Sequence, residues 1–189
     1  MEAYTLVMSY ENCTLCPRQC HADRRNKFGF CRSGDTVRAA RAALHMWEEP
    51  CISGGSGSGT VFFSGCVLKC CFCQNYKISA ENYGKELSVS ELADVFLRLA
   101  DEGADNINLV NPTHFLPSII PALEIAKKKI SLPVIYNSGG YERTETIREL
   151  DGLIDVYLPD IKYFSSEISS EYSAAPDYFE YAMPAVREM

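Results

Sequence analysis

The sequence predicts an α/β fold: a partial TIM-like parallel (β/α) barrel, truncated after about four βα units, with a small N-terminal cysteine-rich module. Three observations predict it. From Thr60 onward, short apolar runs alternate four times with segments whose apolar residues recur at helical spacing, the pattern of parallel strands joined by crossover helices. Each run ends in polar or small residues, and in barrels of this kind the chemistry sits at the carboxyl ends of the strands. Before Thr60, four cysteines crowd into a stretch with many basic and few large apolar side chains, too few for a core of its own.

Residues 1–52 are read as the N-terminal metal or cluster module. Cys13-x2-Cys16-x3-Cys20 is followed after ten residues by Cys31. Thiolates at that spacing hold a metal, which supplies the stabilisation a missing core cannot. Structural zinc sites usually pair two Cys-x2–4-Cys knuckles, and this segment has one. Cys-x2-Cys-x3-Cys also resembles loops that bind iron–sulfur clusters. Zinc and an iron–sulfur cluster both stay open, and His21 reads as a bystander. A helix is expected around residues 37–47, with His45 and Trp47 as packing residues, and Cys51 and Cys71 are unassigned thiols. The Gly/Ser stretch 53–59 matches neither a phosphate loop nor a dinucleotide fingerprint and reads as a flexible connector.

Residues 60–189 carry the core, apparently incomplete at its C-terminal end. Residues 60–63 form a short strand that delivers the next cysteines. Ser88-x2-Glu91 is a capping-box pattern, followed by Leu92, Val95, Phe96 and Leu99 at helical spacing, with Gly103 as the stop. Residues 106–110 form a strand ending in Asn111-Pro112-Thr113-His114. A helix follows over about 118–129, with Ile119, Leu123 and Ala126 on one face and three terminal lysines suited to its negative end. Residues 133–136 form the third strand, ending in Asn137-Ser138-Gly139-Gly140. A shorter helix carries Ile147 and Leu150 to Gly152, and 154–158 is the fourth strand, ending in Asp160-Ile161-Lys162. The last stretch, 165–189, reads as helical in parts, interrupted by Pro176 and Pro184.

Composition sets the class. An apolar fraction of 47% with 23% charged residues is that of an ordinary globular chain. The net charge of −7 argues against nucleic acid or anionic membrane surfaces as partners. There is no run of about 18 apolar residues to span a membrane. The start, MEAYTLVMSYENC, has neither a basic nor a long apolar leader region. Nine cysteines without such a leader are not read as disulfides: seven have metal-ligand spacing, Cys51 and Cys71 are left over, and the protein is expected to be reduced and cytoplasmic.

The stretch Cys66-Val67-Leu68-Lys69-Cys70-Cys71-Phe72-Cys73 carries the chemistry. Three thiolates from one loop leave one iron of a 4Fe–4S cluster open to an outside ligand. The rival readings are a three-cysteine zinc site or buried free thiols. This spacing, with an aromatic residue before the third cysteine, resembles the signature of the radical S-adenosylmethionine (radical SAM) enzymes. Within that superfamily the chain looks most like the branch of pyruvate formate-lyase-activating enzymes. Gln74-Asn75 after Cys73 and Leu158-Pro159-Asp160-Ile161-Lys162 resemble motifs of those activators. The cysteine-rich start, with Trp47-Glu48-Glu49-Pro50-Cys51-Ile52-Ser53-Gly54 behind it, resembles an uncharacterised subgroup of their homologues. The chain departs from the branch at the second strand end, where Asn111-Pro112-Thr113-His114 stands in place of Gly-Gly-Glu. It also ends after the fourth βα unit, where family barrels have six.

The resemblance implies Cys66, Cys70 and Cys73 as ligands of a 4Fe–4S cluster, with S-adenosylmethionine as the second cofactor. It places Asn75, Asn111, Thr113, Asn137, Asp160 and Lys162 as candidate cofactor contacts. A charged pair just past a strand, such as Asp160 and Lys162, is also often a solvated loop. His114 beside a proline turn is more often structural than catalytic, and Phe72 and Tyr76 either stack on a ligand or pack the loop. The implied partners are an electron donor such as flavodoxin or ferredoxin and a protein substrate. The competing functions are an electron-transfer or metal-binding protein without chemistry on S-adenosylmethionine, an inactive fragment of the enzyme, and a zinc-stabilised scaffold.

Overall fold

The structure, a computed structural model, describes residues 8–189. The reading of the start as leaderless rests partly on residues 1–7, which lie outside the described residues. Strand β1 spans Val37–His45, β2 Ser58–Phe63, β3 Lys85–Leu87, β4 Ile107–Val110, β5 Val134–Ser138 and β6 Val156–Pro159. Helix α1 spans Tyr76–Ser79, α2 Val89–Asp101, α3 Leu116–Ala126, α4 Thr144–Arg148, α5 Ser166–Ser173 and α6 Tyr178–Glu188. The strands form one sheet in the order β3-β1-β2-β4-β5-β6.

Strands β2, β4, β5 and β6 are the four apolar runs, and they pair in parallel. The sheet is mixed, because β1 pairs antiparallel with both β2 and β3. The helix expected around residues 37–47 is therefore β1. Its alanines carry high helix propensity, but propensity yields to tertiary pairing. Ladder bonds to β2 run from Ala39 to His45, with a register shift between Ala39 and Arg41. Trp47 lies past the strand and is 89% exposed, so it packs nothing. His45 meets Phe62 edge-on at 6.2 Å.

Helix α2 begins as its sequence dictates. The Glu91 N–H donates to Ser88 Oγ at 3.2 Å, and the Ser88 N–H donates to Glu91 Oε2 at 2.8 Å. Its Leu92, Phe96 and Leu99 are fully buried against β2 and β4 and against Ile119 and Leu123 of α3. Each such side chain contributes about 1.5–3 kcal/mol. Pro184 lies inside α6 rather than ending it. Of the connector residues, Ser56 and Gly57 donate their N–H groups to Asp105, and Ser58 and Gly59 already belong to β2.

Register places the strand ends. Phe62 pairs with Val110, Val110 with Asn137, and Asn137 with Leu158. The residues that follow each strand therefore emerge side by side along one edge of the sheet.

Candidate functional site

That edge opens into a cleft of about 340 Å³, within the lower range of small-molecule sites. The loop after β2 supplies Cys66, Leu68, Cys70, Phe72, Cys73, Gln74 and Asn75. The end of β4 supplies Val110 and Asn111, β5 supplies Asn137, Ser138 and the following Gly139, and the turn after β6 supplies Asp160 and Lys162. Eight of the residues expected in the site from the sequence thus meet in one cavity: Cys66, Cys70, Cys73, Asn75, Asn111, Asn137, Asp160 and Lys162.

Each sulfur of the triad has a hydrogen-bond partner. Cys66 Sγ accepts from the Leu68 N–H at 3.4 Å, and Cys70 Sγ from the Ser173 hydroxyl at 2.9 Å. Cys73 Sγ lies 3.2 Å from the Ser79 hydroxyl. Such donors stabilise thiolate ligands and fix their direction. Burial pushes the Cys66 thiol up to about 11, so loading a metal there releases its proton. Three thiols lining one cleft, each with a polar partner, fit an iron–sulfur cluster. Among the described residues no three His, Cys, Asp or Glu side chains converge on a single-ion site. A cluster binds each thiolate through a different iron, so its ligands stand apart.

Asn111 ties the second strand end to the cysteine loop. It sits in the left-handed region at φ 58°, a conformation asparagine tolerates better than other non-glycine residues. From there its Nδ2 donates to the Gly65 carbonyl at 2.7 Å, and its Oδ1 lies 3.6 Å from Cys66 Sγ. Lys162 Nζ is ion-paired with Asp160 Oδ2 on the opposite wall. Tyr178 of α6 holds that wall in place: its hydroxyl accepts from the Lys162 N–H at 2.9 Å and donates to the Gly139 carbonyl at 2.7 Å.

Thr113 is not in the cleft. It is fully buried, donating to Glu142 Oε1 at 2.7 Å and accepting from the Tyr136 hydroxyl at 3.0 Å. Burial raises the Glu142 carboxyl to about 7, against the pull of the Thr113 hydroxyl that bonds it. His114 is also buried. Its Nε2–H donates to the Ser64 carbonyl at 2.7 Å, and burial and the nearby Arg24 lower it to about 3, so it stays neutral. Phe72 lines the cleft and meets Tyr163 edge-on, whereas Tyr76 does not line it. Cys51 and Cys71 are exposed, and Cys13, Cys16 and Cys31 are buried beside an exposed Cys20.

Ser173, Tyr178, Glu142 and Arg24 were not singled out by sequence reasoning. Ser173 and Tyr178 lie in a stretch whose role depends on which loop it folds against. Glu142 had a signal: a carboxylate directly after Gly139-Gly140-Tyr141 at a strand end. Arg24 had none, being one of several basic residues in its segment. No helix among the described residues is long and apolar enough to cross a membrane.

Residues 60–189 match the family described as the Radical SAM superfamily. The chain is 33% identical over 180 residues to an uncharacterized protein of Methanocaldococcus jannaschii. That match covers 90% of this chain and 51% of the relative, so the chain spans about half the relative's length.

Proposed function

The chain belongs to the radical SAM superfamily, which implies a 4Fe–4S cluster and S-adenosylmethionine, and we propose that it cleaves S-adenosylmethionine reductively to activate or modify a protein, as glycyl-radical-enzyme activases do. The observation that carries the reading is the meeting of Cys66, Cys70 and Cys73 with polar groups from four strand ends in one cleft. When bound, the reduced cluster supplies the electron that splits the cofactor into methionine and a 5′-deoxyadenosyl radical able to take a hydrogen atom from substrate.

The chain's own residues have separable tasks. Cys66, Cys70 and Cys73 hold the cluster, with Leu68 and Ser173 donating to the sulfurs of the first two and the Ser79 hydroxyl beside the third. Asn111, Asn137 and Ser138 offer amide and hydroxyl groups for the amino and carboxylate ends of the methionine moiety, the task that Gly-Gly-Glu performs in the activators. Asp160 and Lys162 add one charge of each sign on the facing wall, and Asn75 stands at the loop end. Leu68, Phe72 and Ile78 give the cleft apolar surface that keeps water from the reacting centre. The activase-like role is supported by Gln74-Asn75 and by the Leu158–Lys162 strand end. A flavodoxin or ferredoxin is the expected electron donor.

The test is anaerobic reconstitution, reduction and addition of S-adenosylmethionine, with 5′-deoxyadenosine followed by chromatography. Product that disappears in Cys70→Ala establishes the cleavage. Modification of a co-purifying protein with a glycine-radical loop would extend it to the substrate. Reversible cluster reduction without nucleoside product favours the second reading, an electron-transfer protein or an inactive part of the enzyme. The half-length match to the relative keeps that reading in view. Absence of iron at the triad overturns both.

A further inference from the structure

A second group of cysteines has no part in the cleft. The turn-rich segment 13–31 folds so that its four thiols are neighbours. Cys16 lies within electrostatic reach of Cys13 and Cys31, and Cys13 within reach of Cys20. A methyl group added at Gly29 would stand 3.4 Å from Cys31 Sγ and 3.5 Å from Cys20 Sγ.

Arg24 points to an anion among these thiols. It is 1% exposed, and its guanidinium donates to the carbonyls of Ser33, Gly34 and His114 and to Cys13 Sγ at 3.8 Å. Among the described residues it forms no ion pair with a carboxylate. A buried guanidinium with only neutral partners is strongly unfavourable. Thiolates bound to a metal at Cys13 and its neighbours would supply the missing negative charge.

The segment also lies against the catalytic loop. Cys16 packs in one apolar cluster with Val67, Leu68, Cys66 and Cys70. Arg18 Nε donates to the Val67 carbonyl at 2.9 Å. We propose that Cys13, Cys16, Cys20 and Cys31 hold a second iron–sulfur cluster, seated directly behind the Cys66 loop. Zinc sites pair two close knuckles, whereas here one knuckle is joined by a third nearby cysteine and a distant fourth, a spacing suited to a cluster.

Anaerobically purified full-length chain is assayed for iron, sulfide and zinc and by electron paramagnetic resonance after dithionite. Wild type is expected to carry about eight irons per chain, and the Cys66→Ala/Cys70→Ala/Cys73→Ala variant about four, with matching sulfide. Cys13→Ser/Cys16→Ser should lose the other four and keep the signal that shifts with S-adenosylmethionine. Circular dichroism checks folding, and if the triple variant does not fold, the wild-type count and the Cys13→Ser/Cys16→Ser spectrum decide. Wild type with about four irons, all tied to the triad, overturns the proposal, as does one zinc per chain that survives loss of the triad. Iron that depends only on Cys13 and Cys16 would uphold it while removing the triad reading.

Discussion

Glu142 is protonated more readily in the fold than in the unfolded chain, because burial lifts its carboxyl from 4.5 to about 7. Its contribution is fully present below pH 4.5 and is lost as pH rises through 7, an effect of about 3 kcal/mol. His114 works in the opposite sense, with stability present above 6.5 and lost as pH falls toward 3. The two partly cancel between their ranges, so Glu142 is isolated by difference. Urea midpoints for Glu142→Gln against wild type should converge below pH 4.5 and favour the variant by up to about 3 kcal/mol at pH 8. Equal pH profiles for the two proteins would mean that the carboxyl titrates normally. At Asn111, backbone and side chain can be separated. Asn111→Ala pays about 1–2 kcal/mol for the left-handed conformation and loses the bond to Gly65, whereas Asn111→Gly loses only the bond. Both should weaken S-adenosylmethionine binding by calorimetry, and only the alanine variant should also lower the melting temperature markedly.

At the scale of elements, the cysteine loop is short on structure of its own and borrows it from the C-terminal stretch. The N–H groups of Lys69 and Cys71 donate to the Ser173 and Tyr172 carbonyls at the end of α5, and α6 sends Tyr178 under the facing wall. Helix α2 owes its start to Ser88 and Glu91, and Ser88→Ala should cost about 1 kcal/mol in urea denaturation, leaving the cofactor site unchanged. The four parallel strands, the capping box and the cleft residues at the strand ends were legible because each follows from local pattern: apolar runs, a cap three residues from its glutamate, polar residues where a run stops. Strand β1 was not, since an alanine-rich stretch reads as helix until a partner strand claims its N–H groups. Thr113 was misplaced for a related reason. Sequence position puts it just past a strand, but the short 3-10 turn Thr113–Phe115 directs it inward to Glu142.

For the molecule as a whole, the contacts that matter run between distant parts of the chain. Arg143 Nη1 and the Thr146 hydroxyl donate to the carbonyls of Thr14 and Leu15, and Arg18 reaches Val67 and Ala174. None of these pairings leaves a trace in sequence spacing, because each partner is a backbone carbonyl that any residue could provide. Gly65 is where they become a constraint. It adopts φ 85°, and a Cβ there would collide with Ser33 Oγ and stand 2.6 Å from the Cys31 carbonyl. A saturation library at position 65, scored for soluble holoprotein, should return glycine alone, and recovery of alanine would mean that the two cysteine segments can part. Because the floor of one cysteine loop is the ceiling of the other, neither can be transplanted into a new scaffold by itself: they are a single inheritable part.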